Sequence, residues 1–357
     1  MSGAPVRVGI VGANAQRGWA RDAHLDALRS LSSLYRIAAV SARDQAQAEA
    51  AAAHFGASKA FGDSLEMVRS PDVDLVVVTV KVPEHRSVVL AALAAGKHVY
   101  CEWPLGVDLA EAEEMAAAVP EGVHAVVGLQ GEQAPAVRVV GKLVRDGAIG
   151  NVQLLRAFGS AGAWGAESPP HYAYLQDRRN GATLETIGGG HTLSSLEALV
   201  GPYAQVDARN SILRKKVRVT GTDEFVDRTC ADHMLVTGIH QNGCVSILEV
   251  VGGSHDRPAE FEIVGDKGWI KVTGTVPGTC QIAKLKVETS FAIDPLPEAV
   301  APDLVGPPVN LAETYAVLAR DLAEGSYSLP DFNRAVRLTR LLDAIDVASE
   351  TGVRQTI

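Results

Sequence analysis

Four cysteines in 357 residues, none of them paired as C-x-x-C, exclude a disulfide framework and a thiolate zinc site. Cys101, Cys230, Cys244 and Cys280 are scattered, and no His/Cys cluster stands at ligand spacing, so reduced thiols and no metal are expected. Positive charge is also short. Lys and Arg number 33 against 42 Asp and Glu, a net charge of −9, which argues against a nucleic-acid partner. No apolar run is long enough to cross a bilayer, so no membrane partner is expected. The opening "MSGAPVRVGIVG" moves straight into a strand, without a basic stretch or signal-peptide core, and points to a cytoplasmic protein. Internal repeats, low-complexity tracts and charge runs are absent too.

What is present is a globular composition, 47% hydrophobic and 21% charged, in a chain too long for a single core. Up to residue 130 the pattern alternates. "VRVGIVG", "YRIAAVSA", "VDLVVVTV", "KHVYCEW" and "VHAVVGLQ" read as strands. Between them lie helical stretches such as "DQAQAEAAAAHFG", which ends on a glycine suited to a C-cap. Right-handed βαβ units of this size predict an α/β fold with a doubly wound parallel sheet, a Rossmann domain over residues 1–130. From about Asn151 the period shortens. "NVQLLRAFGS", "CADHMLVTGIH", "GCVSILEVVGG", "AEFEIVG" and "GWIKVTG" are β-rich runs, with a hairpin turn predicted at Asn242-Gly243. Residues 131–357 are therefore expected to form an α+β domain with a large, mostly antiparallel open sheet. Its closing helix, about 331–350, puts Ala335, Leu338, Leu342 and Ile345 on one stripe that packs on a domain face.

The first strand runs into "GIVGANAQRGWA", where a Rossmann domain binds pyrophosphate at a tight turn and a helix N-terminus. Gly12 is the first glycine and Asn14 stands in the second position. Gly18 comes one residue late, with Ala15 and Trp19 in the same loop. Asparagine tolerates left-handed backbone angles, so the substitution is physically reasonable. The second strand ends on Ser41, followed by Arg43 and Asp44. A cation at this tip accommodates the extra phosphate of NADP, so NAD(P) is expected with a lean to NADP. Arg43 reads equally as a solvated residue, and Asp44 as the N-terminal acid of the next helix.

Taken together with "AALAAGKHVYCEWPLG", "LVRDGAIGNV" and the "GGGH" segment, these motifs resemble the Gfo/Idh/MocA oxidoreductase family over essentially the whole chain. Within it, the sequence resembles the subgroup of the galactose/lactose metabolism regulatory proteins, through Gly12, Asn14, Gly18 and Trp19, Glu102-Trp103, Leu129-Gln130-Gly131 and Gly190-His191-Thr192. The family resemblance implies hydride transfer between a nicotinamide and a carbon of a sugar, glycoside or cyclic polyol, and a second domain that carries substrate and often the oligomer interface. The subgroup resemblance opens a second possibility, a catalytically silent dinucleotide-binding regulator.

Oxidising an alcohol requires a base for the hydroxyl proton. Where the family keeps a lysine after its glutamate, this chain has Trp103, whose indole has no titratable group near neutral pH. Trp103 is expected to pack on the nicotinamide or its ribose, with Glu102 bonding the cofactor or its neighbours. His191 matches the family histidine and is the expected acid/base. Ser194 and Ser195 stand where the family often has Asp. Lys81 and His85 occupy the loop at the end of the third long strand, beside the cofactor crevice. Lys81 is a second catalytic candidate that also meets ribose. Gln130 and the loop residues Trp164, Tyr172, Tyr174, Asp177 and Arg178 are candidate substrate contacts through stacking and bidentate bonds. A homo-oligomer, dimer or tetramer, is expected through the second-domain sheet.

Overall fold

A computed structural model describes residues 4–253 and 256–357. They divide into two compact units, the first reaching Gln130 and including Ala299–Val336, the second comprising Gly131–Glu298 and Arg337–Ile357.

The first unit is built on six parallel strands: β1 (Val6–Val11), β2 (Tyr35–Ser41), β3 (Lys59–Phe61), β4 (Leu75–Val78), β5 (His98–Glu102) and β6 (Ala125–Gly128). Their order across the sheet is β3-β2-β1-β4-β5-β6, the doubly wound arrangement with its crevice at the β1/β4 switch point. All four residues of β4 are buried, as expected of a parallel strand covered on both faces. The helix Gln45–Phe55 starts on an Asp44 side chain that accepts from Gln47 N–H, and ends at Gly56 in the left-handed region. One element lies outside the sequence-based boundary. The helix Pro308–Glu324 belongs to this unit, and its Leu311, Tyr315 and Leu318 stripe packs with Ile10, Val40 and Leu75.

The second unit holds β7 (Val152–Ala161), β8 (Glu167–Ser168), β9 (Tyr203–Ser211), β10 (Lys216–Val219), β11 (Phe225–Asp227), β12 (His233–His240), β13 (Val245–Gly252), β14 (Pro258–Gly265), β15 (Trp269–Pro277), β16 (Leu285–Thr289) and β17 (Gln355–Thr356). Eight of them form one sheet in the order β16-β15-β14-β7-β13-β12-β9-β17, and β11-β10-β8 form a small second sheet. In the large sheet only β7 and β13 pair in parallel. Gly243 takes the left-handed conformation in the β12–β13 turn, as the Asn-Gly pair predicts. Along β12 and β13, Met234, Val236, Leu248 and Val250 are buried on one face. On the other face Ile239, Val245, Leu154, Val264 and Trp269 stand side by side across five strands. All five are at least partly exposed. Ala335, Leu338, Leu342 and Ile345 of the helix Phe332–Thr351 are buried, as their spacing predicts. Among the described residues no helix is long and apolar enough to cross a membrane, and no group of His, Cys, Asp or Glu is arranged to hold a metal. All four cysteines are buried, and none is in a disulfide.

Candidate functional site

β1 ends at Val11, and the chain turns at once. Gly12 has φ +89°, and a Cβ on it would stand 2.9 Å from Val80 Cγ1 and 3.1 Å from Val80 N, so only glycine lets this turn lie against the end of β4. Asn14 Oδ1 accepts from the backbone N–H groups of Gln16 and Arg17 at 2.9 and 3.2 Å, which shapes the loop from within. Gly18, at φ +98°, leads into a π-helical turn, Ala20–Leu25, in place of an ordinary α-helical start. The Trp19 indole N–H is buried at the end of this loop without a partner among the described residues. Both amide atoms of Gln130, whose side chain is 0% exposed, lack a partner as well. Buried polar groups left in this state are costly, and they fit a unit built around a polar ligand. The glycine turn and the orphaned indole at the β1 crevice together fit a dinucleotide.

The surrounding side chains divide into those turned to the crevice end of the sheet and those spent inside the fold. Lys81 is exposed just beyond β4, and Trp103 is buried after β5. Arg43 is at the β2 tip with its side chain 84% exposed, 3.9 Å from Asp44. Ser41 departs from its expected role: it is fully buried and its hydroxyl pairs with Ser64 at 3.0 Å. So does His85. Its ring nitrogens meet the carbonyl oxygens of Val80 and Pro104, both at 3.0 Å, tying the two loops together, and burial lowers its pKa. Glu102 is held by an unforeseen partner. Its Oε1 accepts from His24 Nε2 at 2.9 Å, and His24 Nδ1 lies 2.7 Å from the Tyr315 hydroxyl. The only hint of His24 in the sequence is a histidine on the apolar side of "GWARDAHL".

In the second unit, His191 opens the second turn of a helical run. A capping box between Thr183 and Thr186 starts the π-helical turn Leu184–Gly189, which continues as the helix Gly190–Val200. The glycines before His191 serve packing on the sheet. A Cβ on Gly189 would stand 2.5 Å from Met234 Sδ, and one on Gly188 would stand 3.2 Å from Val250. His191 is 5% exposed, and its Nδ1 has no partner among the described residues. Burial pushes its pKa down to about 3, so the ring is neutral at pH 7: free to accept a proton, but a weak base.

Three expected substrate contacts are committed elsewhere. The Trp164 indole N–H donates to the Leu175 carbonyl from a buried position. Asp177 caps a short turn and binds Arg179, which lowers its pKa. Arg178 donates to Asp346 at 2.9 Å and pairs with Glu350 at 3.5 Å. Tyr172 and Tyr174 are half-buried, and Tyr172 packs on His171 with ring centroids 4.3 Å apart. Glu132, which no motif singles out, bonds to Ser194 near His191.

The family model described as "Oxidoreductase family, NAD-binding Rossmann fold" matches residues 6–128, and "Gal80p, C-terminal domain" matches residues 135–274. The dehydrogenase aclE of Aspergillus oryzae is 32% identical over 97% of this chain and 97% of its own length. The galactose/lactose metabolism regulatory protein of Saccharomyces cerevisiae is 30% identical over 79% of this chain and 69% of its own. Levoglucosan dehydrogenase, solved with NADH and levoglucosan, shares the fold with a TM-score of 0.83 at 20% identity, covering 99% of both chains.

Proposed function

The chain belongs to the Gfo/Idh/MocA oxidoreductase family, and from that premise we propose an NAD(P)-dependent oxidoreductase acting on a hydroxyl-bearing carbon of a sugar, glycoside or cyclic polyol. The observation that carries this reading is His191, a buried neutral imidazole whose Nδ1 has no partner among the described residues, in a chain whose first strand ends in a glycine turn at Gly12. Bound nicotinamide supplies the hydride acceptor or donor. The loop from Gly12 to Trp19 receives the pyrophosphate, and Arg43 favours the extra phosphate of NADP. Lys81 fixes ribose or polarises the hydroxyl. His191 orients the substrate hydroxyl at Nδ1 and takes its proton. Trp103 packs on the cofactor and carries no proton. The fold relative solved with levoglucosan makes a cyclic sugar the first substrate to try. The apolar row Ile239, Val245, Leu154, Val264 and Trp269 supports a homo-oligomer, dimer or tetramer, formed through the outer face of the large sheet.

A second reading has its own support. Similarity to the regulatory protein's C-terminal domain spans residues 135–274, so a dinucleotide-sensing regulator without turnover is the alternative. Incubating the purified protein with NAD or NADP and a panel of sugars, and following absorbance of the reduced cofactor, separates the two. Turnover supports the enzyme. Tight cofactor binding without turnover on any sugar supports the regulator.

A further inference from the structure

The first unit has a cavity of about 570 Å³ at the N-terminal end of β6. It lies between the turn 119–124 that leads into this strand and the segment joining the helix Pro308–Glu324 to the helix Phe332–Thr351. A dinucleotide binds at the opposite, C-terminal ends of such strands, so the cavity is separate from the cofactor crevice. His124, 6% exposed, is fixed in its wall. The His124 Nε2 donates to the Ser326 carbonyl at 2.9 Å, so in the neutral ring Nδ1 is left to accept. That nitrogen has no partner among the described residues. A buried acceptor in this state costs free energy until a donor reaches it. The imidazole cannot turn away to find one, because the Tyr327 ring lies flat on it, with centroids 4.2 Å and planes 9° apart. The polar wall is otherwise acidic. Asp321, 1% exposed, is held by the Ser326 and Ser328 hydroxyls, each at 2.8 Å. Asp331 accepts from the Arg334 N–H at 2.7 Å, and Glu121 is exposed. No Lys or Arg among the described residues lines the cavity.

We propose that this cavity is a ligand site, distinct from the cofactor crevice, for a small organic cation that carries N–H donors on an apolar body. An N–H of the cation donates to His124 Nδ1, and a charged donor makes the stronger kind of hydrogen bond. Glu121, Asp321 and Asp331 supply the opposing charge, while Leu329 and Phe332 offer apolar wall to the body of the ligand. An anion of the same shape meets three carboxylates and an acceptor, and is excluded. The site stands apart from the oxidoreductase reading, since every lining residue belongs to the first unit and none belongs to the glycine loop.

The test uses the full chain and two probes of one shape and opposite charge, benzamidinium and benzoate, titrated by ligand-observed NMR with and without NADP. Benzamidinium is expected to bind with Kd on the order of 1 mM, as suits so small a ligand, and benzoate not to bind. NADP should leave the benzamidinium signal in place. His124→Phe keeps a ring against Tyr327 but removes the acceptor, and should weaken benzamidinium about tenfold. Glu121→Lys, at an exposed position, should weaken it about threefold, the scale of an exposed charge. Thermal unfolding checks that each variant is folded, and Glu121→Lys decides the matter alone if His124→Phe does not fold. Equal binding of the two probes, displacement of benzamidinium by NADP, or unchanged affinity in a folded variant overturns the inference. So does the absence of any benzamidinium binding up to about 10 mM.

Discussion

The His24 ring nitrogen Nε2 lies 2.9 Å from Glu102 Oε1, joining the helical turn after the glycine loop to the end of β5. The ring is fully buried, and its other nitrogen meets Tyr315. With the carboxylate accepting from Nε2–H, Nδ1 is left to accept the tyrosine O–H. Removing the histidine strands both partners. His24→Leu is expected to cost about 1–3 kcal/mol, the penalty of a buried acceptor without its donor. The double variant His24→Leu/Glu102→Leu should cost less than the sum of the two single variants. Urea unfolding of the four proteins measures this, and strict additivity would rule the coupling out.

Cofactor choice is tested at Arg43. Its side chain is 84% exposed, so solvent weakens any phosphate contact. Arg43→Ala should reduce NADP affinity about tenfold, the lower end for a charge-assisted bond, and leave NAD affinity within about twofold. Fluorescence titration with both reduced cofactors reads the difference. Equal losses would remove Arg43 from the 2′-phosphate site.

His191 gives a pH signature in stability. The unfolded chain protonates it near its ordinary value of 6.5, the folded chain only near 3. Between these values the unfolded state holds the extra proton, so stability falls as pH falls through that window. His85, its pKa also lowered by burial, adds a contribution of the same sign. His191→Gln should make the loss shallower by up to about 1.4 kcal/mol per pH unit. Urea midpoints at several pH values between neutral and mildly acidic check this, and parallel curves for the two proteins would refute it.

The same residue sets the rate prediction. His191→Ala should lower kcat by about 10²-fold, the low end for a general base because a ring with so low a pKa is a weak one. Cofactor affinity should be nearly intact. Near wild-type turnover in this variant would shift attention to Tyr172 and Tyr174.

Assembly is tested at Val245, which sits between Ile239 and Leu154 in the apolar row. Val245→Asp should convert the oligomer to monomer in light scattering, while the stability of the isolated chain changes by only about 0.5 kcal/mol, as for other surface sites. A monomeric wild type at micromolar concentration would contradict the proposed interface.

The parallel sheet was legible because its strands are continuous apolar runs; β4 needs no partner to be recognised. The Asn242-Gly243 turn was legible because only a few residue pairs suit its backbone angles. Pairings between distant segments were not. Leu311, Tyr315 and Leu318 show helical spacing, but nothing in that spacing says which sheet they cover. The site divides along the same line. Gly12 and Asn14 announce a loop through local chemistry. His24 with Glu102, and Glu132 with Ser194, are contacts between residues far apart in sequence. Ser41, His85, Trp164 and Arg178 looked available because composition cannot reveal that a neighbour already holds their polar atoms.

The helix Pro308–Glu324 has a consequence for how the protein is made. It fills the core of a sheet whose last strand ends at Gly128, so the ribosome must build the Gly131–Glu298 stretch of the second unit before the first can close. During that interval Tyr35, Val40 and Leu75 lack the Tyr315 and Leu318 cover they have in the finished protein. Synthesis proceeds at about 5–20 residues per second, which leaves an apolar surface open on the nascent chain for many seconds. Gly131–Glu298 is in effect an insertion that delays the maturation of the nucleotide fold.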